Sequence, residues 1–345
     1  MNTQENRPVL LQVEHLKKVF PIKQSIFEAI RRAPQRQVNA VDDVSLTIYQ
    51  GENLGIVGES GCGKTTFAKS VIQLYRPDSG TVQFDGKDLM ALPPRQLRRE
   101  CINFQMIFQD PFSSLNPRMT VREIISEALL YHKICTKKEL EQRVTETLAM
   151  VGLYEHQADR FPGEFSGGQQ QRVGIARALA LNPKLIIADE PVSALDVSIQ
   201  AQIIDLLMEL QQKFNITILF ISHDLRVVRY ITQRVVVMYL GKIIEVADTE
   251  ELYTNPLHPY TQVLLRSNPN LDPRIRTKKP LVEGEPPSPI DLPKGCRFSP
   301  RCKFATEECR QAPPPLTEVS PGHFAACHYS GQIQNYETRL ETPAG

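Results

Sequence analysis

The sequence predicts an α/β fold built around a mainly parallel sheet, and two observations support this prediction. Over residues 9–265, apolar runs of strand length alternate with helical patterns, which is typical of a sheet covered by helices. A glycine-rich loop at residues 58–65 follows one of these strands, 53–57, and opens a helix. Because a phosphate-binding loop requires that order of strand, loop and helix, we predict a P-loop nucleotide-binding fold.

The remaining elements follow from hydrophobic periodicity and turn residues. Turn signals at 78–80 and 85–86 enclose a short strand and predict a hairpin. Residues 21–37 are basic and predict a surface insertion, as a loop or a short amphipathic helix, with a membrane- or permease-facing patch as the alternative. The predicted strands are 9–20, 40–48, 53–57, 81–84, 184–188, 217–221 and 234–239, and the predicted helices are 64–74, 121–151, 167–181, 199–214 and 225–232.

Composition and charge narrow the class of protein. Hydrophobic residues make up 41% of the 345 residues and charged residues 23%, which is ordinary for a soluble globular protein. The net charge of +1 gives no electrostatic case for binding nucleic acid or an anionic membrane. No apolar run approaches the roughly 20 residues that cross a bilayer, and the polar N-terminus lacks a signal-peptide core. We therefore expect a cytoplasmic protein that meets a membrane only through partners.

The character of the sequence changes near residue 268. Beyond that point proline becomes frequent, the hydrophobic periodicity fades, and four of the seven cysteines occur. We predict a nucleotide-binding domain over residues 1–268 and a smaller Pro- and Cys-rich part over residues 269–345.

The loop at residues 58–65 has the composition that phosphate binding needs. Its glycines let backbone N–H groups approach phosphate oxygens, and the helix that begins near Lys64 adds the positive end of its dipole. We expect Lys64 to reach the β- and γ-phosphates and Thr65 to offer its hydroxyl to Mg²⁺. The predicted nucleotide-binding residues of the loop are Gly58, Ser60, Gly61, Cys62, Gly63, Lys64, Thr65 and Thr66.

Two further motifs follow about a hundred residues later. Residues 165–169 read Phe-Ser-Gly-Gly-Gln, and residues 185–190 form an apolar strand ending in Asp189 and Glu190. Taken alone, the second motif is also compatible with a buried strand that ends in two solvated acids. In this order and spacing, however, the motifs resemble those of the ATP-binding cassette (ABC) ATPases, and the resemblance covers residues 9–265. It implies ATP and Mg²⁺ as cofactors, an antiparallel β subdomain beside the mainly parallel core sheet, and a helical subdomain at about 110–175.

The resemblance also implies a role for each matching residue. Asp189 would hold Mg²⁺ through water, and Glu190 would polarise the attacking water. Gln109 matches the glutamine that touches both Mg²⁺ and that water, and His223 matches the histidine that contacts the γ-phosphate. Residues 193–196 match a loop at the dimer contact. The signature residues, which would act on ATP bound by a partner subunit, are Ser166, Gly167, Gly168 and Gln169.

The sequence gives less direct evidence on which base the nucleotide carries. No Asn-Lys-x-Asp segment occurs to recognise guanine, so GTP is disfavoured. In ABC ATPases adenine usually stacks on an aromatic residue before the P-loop, and Phe20 is the best match. Phe27, in the basic insertion, is the competing residue.

Three segments extend the resemblance beyond the ATPase core. Residues 255–262, 284–289 and 295–302 resemble the C-terminal region of dipeptide and oligopeptide importer ATPases, and residues 191–193 and 221–224 resemble the second of their two ATPase subunits. This implies a peripheral protein on the cytoplasmic face of the inner membrane. Its implied partners are a homologous ATPase in a heterodimer, two permease subunits and a periplasmic or extracellular peptide-binding protein.

Two alternatives to peptide import remain open. The same ATPase could serve another cargo, such as nickel, glutathione or cell-wall (murein) peptides, because the subunit does not touch the cargo. A soluble ABC ATPase of DNA repair or translation is the alternative of a different class. The chain lacks the second cassette and the long coiled-coil insertion that such proteins usually carry.

The cysteines divide into two groups. Cys296, Cys302, Cys309 and Cys327 cluster near the C-terminus, where disulfides are not expected in a cytoplasmic protein. The importer resemblance implies that these four ligate a [4Fe–4S] cluster, while zinc and free thiols remain alternatives, and His323 and His328 could substitute as ligands. Cys62 lies at a helix N-terminus, where a thiol pKa tends to fall, so it is either reactive or an inert small residue.

Overall fold

The structure is a computed structural model that describes residues 7–22, 35–266, 287–330 and 332. The described chain divides into two compact units. Unit 1 contains residues 7–11, 47–54 and 83–222. Unit 2 contains residues 12–22, 35–46, 55–82, 223–266 and 287–330, with residue 332. The boundary predicted near residue 268 lies outside the described residues.

Two sheets contain the described strands, and the predicted α/β class is confirmed. One sheet has the strand order β2-β1-β4-β5 and the other the order β11-β12-β10-β9-β3-β8-β7-β6. The strands are β1 Val9–Pro21, β2 Gln37–Tyr49, β3 Asn53–Val57, β4 Ser79–Phe84, β5 Lys87–Asp88, β6 Phe104–Ile107, β7 Leu185–Asp189, β8 Thr217–Ile221, β9 Arg234–Tyr239, β10 Lys242–Asp248, β11 Thr317–Ser320 and β12 His323–Ala325.

The α-helices of the described residues fall mainly between the strands, as the alternating pattern predicts. No helix among them is both long and apolar enough to cross a membrane. The helices are α1 Lys64–Val71, α2 Pro94–Glu100, α3 Pro111–Ser114, α4 Val121–Tyr131, α5 Leu140–Met150, α6 Gly167–Leu179, α7 Val197–Phe214, α8 Leu225–Ile231, α9 Thr249–Thr254, α10 Pro259–Arg266 and α11 Glu307–Gln311.

Unit 1 contains three parallel strands of the larger sheet. Strand β7 pairs in parallel with β6 on one side and β8 on the other, and Ile187 lies opposite Met106 and Leu219. Every residue of β7 and β8 is buried. A parallel strand covered on both faces reads as a continuous apolar run, which explains why these two strands are visible in the sequence.

The helical region of unit 1 differs from its prediction. The sequence predicts one helix over 121–151, whereas the structure has α4 and α5 separated by residues 132–139. Lys133 takes a left-handed backbone conformation with a φ of 57°, which ends α4. The backbone N–H and hydroxyl of Thr136 both donate to the Glu139 carboxylate at 2.8 Å, just before α5. These bonds hold residues 136–139 in a turn before the helix, which the apolar periodicity did not reveal.

Unit 2 contains antiparallel strands, and of these β10, β11 and β12 were not predicted individually, although the family resemblance implies an antiparallel β subdomain. Strand β10 pairs with β9 through a two-residue turn at Leu240 and Gly241, whose φ angles of 44° and 81° are both left-handed. Strand β12 then pairs with β10, and β11 with β12. The larger sheet is therefore mixed, with its antiparallel strands following β9.

The predicted hairpin near residue 80 is confirmed, since β4 and β5 pair antiparallel. Most of the basic insertion, residues 23–34, lies outside the described residues, and so does the competing aromatic Phe27. At the base of the insertion the backbone N–H of Ile22 donates to Arg36 O at 2.9 Å, which joins its two ends.

Candidate active site

The predicted phosphate-binding loop lies between β3 and α1, and two of its glycines are required by space. A Cβ at Gly63 would lie 2.0 Å from the carbonyl oxygen of Ala40, and one at Gly58 would lie 2.3 Å from that of Met238. Both glycines also have positive φ angles, 106° and 153°. The backbone therefore packs too closely for any side chain at these positions.

Lys64 begins helix α1, and its side chain turns back over the loop. The Nζ atom donates to the carbonyl oxygens of Gly58 at 2.8 Å and Glu59 at 3.1 Å. Only 5% of Lys64 is exposed. Its ammonium group thus lies inside the loop, among the backbone groups expected to contact phosphates. Thr65 and Thr66 follow in the first turn of the helix and are half-buried.

Cys62 is not the reactive thiol that its place at a helix N-terminus suggested. It is 3% exposed, and burial raises its thiol pKa, while the charge of Lys64 lowers it by a smaller amount. A buried thiol with a raised pKa carries little thiolate at neutral pH. The structure therefore favours the second of the two alternatives for Cys62, an inert small residue.

The loop residue Glu59 was not singled out in the sequence, yet side chains from distant segments hold it. Its backbone N–H donates to the phenol oxygen of Tyr260 at 2.8 Å. Its carboxylate accepts from Nη1 of Arg301 at 3.1 and 3.2 Å. Neither residue belongs to a nucleotide-binding motif, and no local signal in the sequence could have paired them with Glu59.

In unit 1, the structure brings two predicted catalytic residues together. Glu190 follows β7, and its carboxylate accepts a hydrogen bond from the Gln109 amide at 3.0 Å. The backbone N–H of Glu190 donates to Ile221 O at 2.9 Å, and its φ of 47° is left-handed. Asp189, at the end of β7, is 3% exposed. The two acids thus occupy different environments, with Asp189 buried and Glu190 turned towards Gln109.

The signature residues form the N-terminus of α6. Ser166 and Gln169 cap each other reciprocally: the Gln169 N–H donates to the serine hydroxyl at 3.4 Å, and the Ser166 N–H donates to the glutamine side chain at 3.1 Å. Ser166 and Gly167 are exposed. A Cβ at Gly168 would lie 2.5 Å from the side chain of Ile199 on α7. Packing of Gly168 against α7 therefore fixes the N-terminal end of α6, while Ser166 and Gly167 face solvent.

The remaining predicted residues have the following positions. The Ser193 hydroxyl, in the predicted dimer-contact loop, donates to Glu190 O at 3.1 Å. His223 lies two residues after the end of β8 and is exposed. The half-buried Phe20 lies in unit 2, where its ring makes an edge contact with Tyr75 at 5.4 Å between centroids. Nζ of Lys18 lies 5.4 Å from the Phe20 ring. The structure thus leaves the adenine-stacking role of Phe20 a prediction.

The four C-terminal cysteines converge on one small cavity. Cys296, Cys302, Cys309 and Cys327 all line a space of about 20 Å³. Burial raises the pKa of Cys302 to about 11 and that of Cys327 to about 12. His328 also lines the cavity, whereas His323 does not. Instead, the buried His323 ring donates to Glu245 at 2.8 Å, so that its Nε2 atom is already engaged.

The geometry of these thiols is not yet that of a metal site. Across residues 7–22, 35–266 and 287–330, no three His, Cys, Asp or Glu side chains are placed closely enough to hold a metal ion. The donor set itself fits a thiophilic metal, since four thiols line one buried space. Binding would require the donor atoms to come closer together than they are here.

The chain combines a P-loop, a strand that ends in two acidic residues, and a helix that begins with two glycines, on a mixed sheet. Together these features define an ATPase of the ATP-binding cassette class. The family described as ABC transporter matches residues 41–193. The family described as oligopeptide/dipeptide transporter, C-terminal region, matches residues 244–309.

Individual relatives cover nearly the whole chain. The oligopeptide transport ATP-binding protein AppF of Bacillus subtilis is 53% identical over 329 residues, which is 94% of this chain and 99% of the relative. The oligopeptide transport ATP-binding protein OppF of Escherichia coli K12 is 49% identical, over 94% of this chain and 97% of the relative. The chain therefore belongs to the oligopeptide-transport ATP-binding proteins of the ABC transporters.

Solved structures agree on the core. The ATP-binding cassette MJ0796, in a dimeric post-hydrolysis state with ADP and Pi, superposes with a TM-score of 0.61 at 29% identity over 70% of this chain and 99% of its own. CbiO1 of Clostridium perfringens, part of the transporter complex CbiONQ, has a TM-score of 0.60 at 27% identity over 74% and 93% of the two chains.

Proposed function

We propose that the chain binds and hydrolyses ATP to energise the import of dipeptides or oligopeptides through a membrane permease. One observation carries this proposal: an intact P-loop and a Gln109–Glu190 pair occur in a chain that also has the C-terminal region of peptide transporters. The relatives named for oligopeptide transport support the same cargo class.

The proposed hydrolysis relies on positioning and on charge stabilisation. Lys64 and the backbone N–H groups of the loop would bind the phosphates. Thr65 and Asp189 are the residues that the family resemblance implies would hold Mg²⁺, which would neutralise charge on the phosphates. Glu190 orients the attacking water, and its bond to Gln109 fixes the carboxylate that does so. Gln109 would also contact Mg²⁺, and His223 would contact the γ-phosphate, as the family resemblance implies.

The proposed working unit is a head-to-tail dimer of ATPase subunits. The exposed Ser166 and Gly167, at a helix N-terminus, can meet the γ-phosphate of ATP bound by a partner. We propose a homologous but distinct ATPase as that partner, together with two permease subunits and a peptide-binding protein. The chain then lies on the cytoplasmic face of the cell membrane, peripheral to the permease.

Purification of the complete transporter tests this proposal. We expect a tagged chain, solubilised from membranes of its native host in mild detergent, to carry a second ATPase and two permease subunits. The ligands of the associated binding protein then define the cargo as peptide, nickel, glutathione or cell-wall peptide. Recovery of the active ATPase with no membrane protein would contradict the transport function.

We also propose that the four C-terminal cysteines hold a metal centre, a [4Fe–4S] cluster as the family resemblance implies, with zinc as the alternative. Their convergence on one cavity supports this assignment. Bound there, the metal would organise a segment that has few large apolar residues of its own. Cys296, Cys302, Cys309 and Cys327 would provide its ligands.

Anaerobic purification with elemental analysis distinguishes the two metals. Iron and acid-labile sulfide in equal amounts, with visible absorbance, identify the cluster, and zinc without colour identifies the alternative. We expect Cys309→Ser to lose metal and Cys135→Ser, a half-buried cysteine in unit 1, to keep it. A colourless, metal-free wild-type protein would contradict both assignments.

A further inference from the structure

Glu59 of the P-loop is bonded at three points. Its N–H donates to Tyr260, its carbonyl oxygen accepts from Lys64, and its carboxylate accepts from Arg301. Arg301 belongs to the C-terminal segment of residues 287–330, 242 positions away in sequence. The segment that distinguishes the peptide-transport family therefore reaches the loop that binds ATP.

The charge of Glu59 poses a problem for this loop. A P-loop binds a polyanion, and a carboxylate beside it repels the phosphates. The Arg301 side chain faces that carboxylate and is only 11% exposed, while the Glu59 side chain is 29% exposed. Because the pair is largely shielded from water, its mutual attraction is stronger than that of an ordinary surface ion pair. Arg301 thus neutralises the negative charge that would oppose nucleotide binding.

Arg301 is itself held in place by an aromatic cluster. Nη1 also donates to the hydroxyl of Tyr239 at 3.3 Å, and the guanidinium carbon lies 5.9 Å from the ring centroid of Phe298. The rings of Tyr239, Tyr260 and Phe298 pack against one another with centroids 4.5–5.5 Å apart, and all three are at most 2% exposed. A guanidinium fixed by such packing loses little further entropy when it holds its partner.

We propose that Arg301 is a positioning residue of the ATP site. It holds Glu59, and with it the start of the P-loop, in the conformation that receives phosphate, and it cancels the Glu59 charge. This inference rests on the proposed ATPase function, because it concerns the same site. Arg301 acts through Glu59 and does not itself touch the nucleotide.

Nucleotide affinity tests the proposal independently of transport. We expect Arg301→Met, in the full-length chain with a non-hydrolysable ATP analogue, to weaken binding by about tenfold, or about 1.4 kcal/mol. The loss should grow at low ionic strength, where an uncompensated charge is screened least. The KM for ATP should rise more than kcat falls. Arg310→Met is the matched control, since Arg310 pairs with Glu307 on the exposed surface of the same segment, and it should change neither quantity.

A second substitution separates charge compensation from simple structural support. We expect Glu59→Gln, added to Arg301→Met, to recover most of the lost affinity, because the repelling carboxylate is then gone. Glu59→Gln alone gives the reference affinity for the double variant. Tighter binding by the double variant than by Arg301→Met keeps the test valid, because removing a charge would not restore a chain that had failed to fold.

The outcomes are distinguishable. Unchanged affinity in Arg301→Met, or an equal loss with and without Glu59→Gln, would overturn the role of Arg301. A wild-type chain that binds no ATP analogue would instead overturn the proposed ATPase function. Tighter binding by Arg301→Lys than by Arg301→Met supports a role for the charge. Lysine keeps the positive charge but lacks the planar guanidinium group of arginine.

Discussion

Glu190 combines a strained backbone conformation with a predicted catalytic carboxylate. Its left-handed φ of 47° is uncommon for a residue other than glycine and costs about 1–3 kcal/mol. The backbone bond to Ile221 and the side-chain bond to Gln109 hold it there. In this conformation the carboxylate accepts its hydrogen bond from the Gln109 amide. A carboxylate aimed in this way can orient a water molecule.

Replacing Glu190 by glutamine therefore separates ATP binding from hydrolysis. We expect Glu190→Gln to retain ATP and to lower turnover by about 10²–10⁴-fold, the usual contribution of a general base. Size-exclusion chromatography with ATP should show an accumulated closed dimer. Lys64→Ala is the contrasting variant and should lose ATP binding altogether. Unchanged turnover in Glu190→Gln would show that another group activates the water.

At the scale of elements, a buried carboxylate joins three pieces of unit 2. Glu245 on β10 is fully buried and accepts from the backbone N–H groups of Leu257 at 2.7 Å and His258 at 3.0 Å. It also accepts from the ring of His323 on β12. Burial lowers the pKa of His258 to about 4, so its neutral ring can accept from the Tyr260 N–H at 3.0 Å. Through these bonds Glu245 sets the position of Tyr260, which in turn holds the P-loop.

Removing this carboxylate should destabilise the protein. We expect Glu245→Ala to cost about 2–4 kcal/mol in the free energy of unfolding, because three buried donors lose their acceptor. Urea unfolding measures the change. Glu250→Ala is the matched control, since Glu250 pairs with Arg229 on the surface and should leave the urea midpoint unchanged. Equal midpoints for the two variants would contradict the structural role of Glu245.

For the whole molecule, the exposed signature helix predicts that one chain is an incomplete enzyme. Ser166 and Gly167 face solvent, and the adjacent Asp196 and Val197, at the start of α7, are also exposed, Val197 by 81%. An exposed apolar side chain beside a helix N-terminus that can bind an anion fits a surface that closes on a second ATP-bound subunit.

ATP turnover should accordingly depend on assembly. We expect the isolated chain to hydrolyse ATP slowly and its turnover per molecule to rise when the second ATPase subunit is added. Within that complex, Ser166→Glu should block hydrolysis at the partner's ATP while leaving ATP bound at this chain's own P-loop, because the added carboxylate meets the partner's γ-phosphate. Single-turnover assays on each site measure this. Full turnover by a dilute monomer would contradict the shared site.

Local motifs made much of this protein predictable from sequence. Strands 53–57, 217–221 and 234–239 were predicted with the bounds that the structure gives them. Buried strands and the P-loop are short segments. The residue types that they need depend on residues close by in the chain, so the sequence reveals them. The same applies to the signature, whose capping pair spans four residues, 166–169.

Only the tertiary structure revealed the features that depend on distant packing. The separation of α4 from α5 and the β9–β10 hairpin reflect turns that periodicity alone does not reveal. Burial favours the inert alternative for Cys62 over the reactive one, which the sequence left open. The bond between Arg301 and Glu59 joins residues 242 positions apart. The sequence by itself thus determined the motifs and the family resemblance, because their chemistry is local, whereas folding decided which distant side chains support the ATP site.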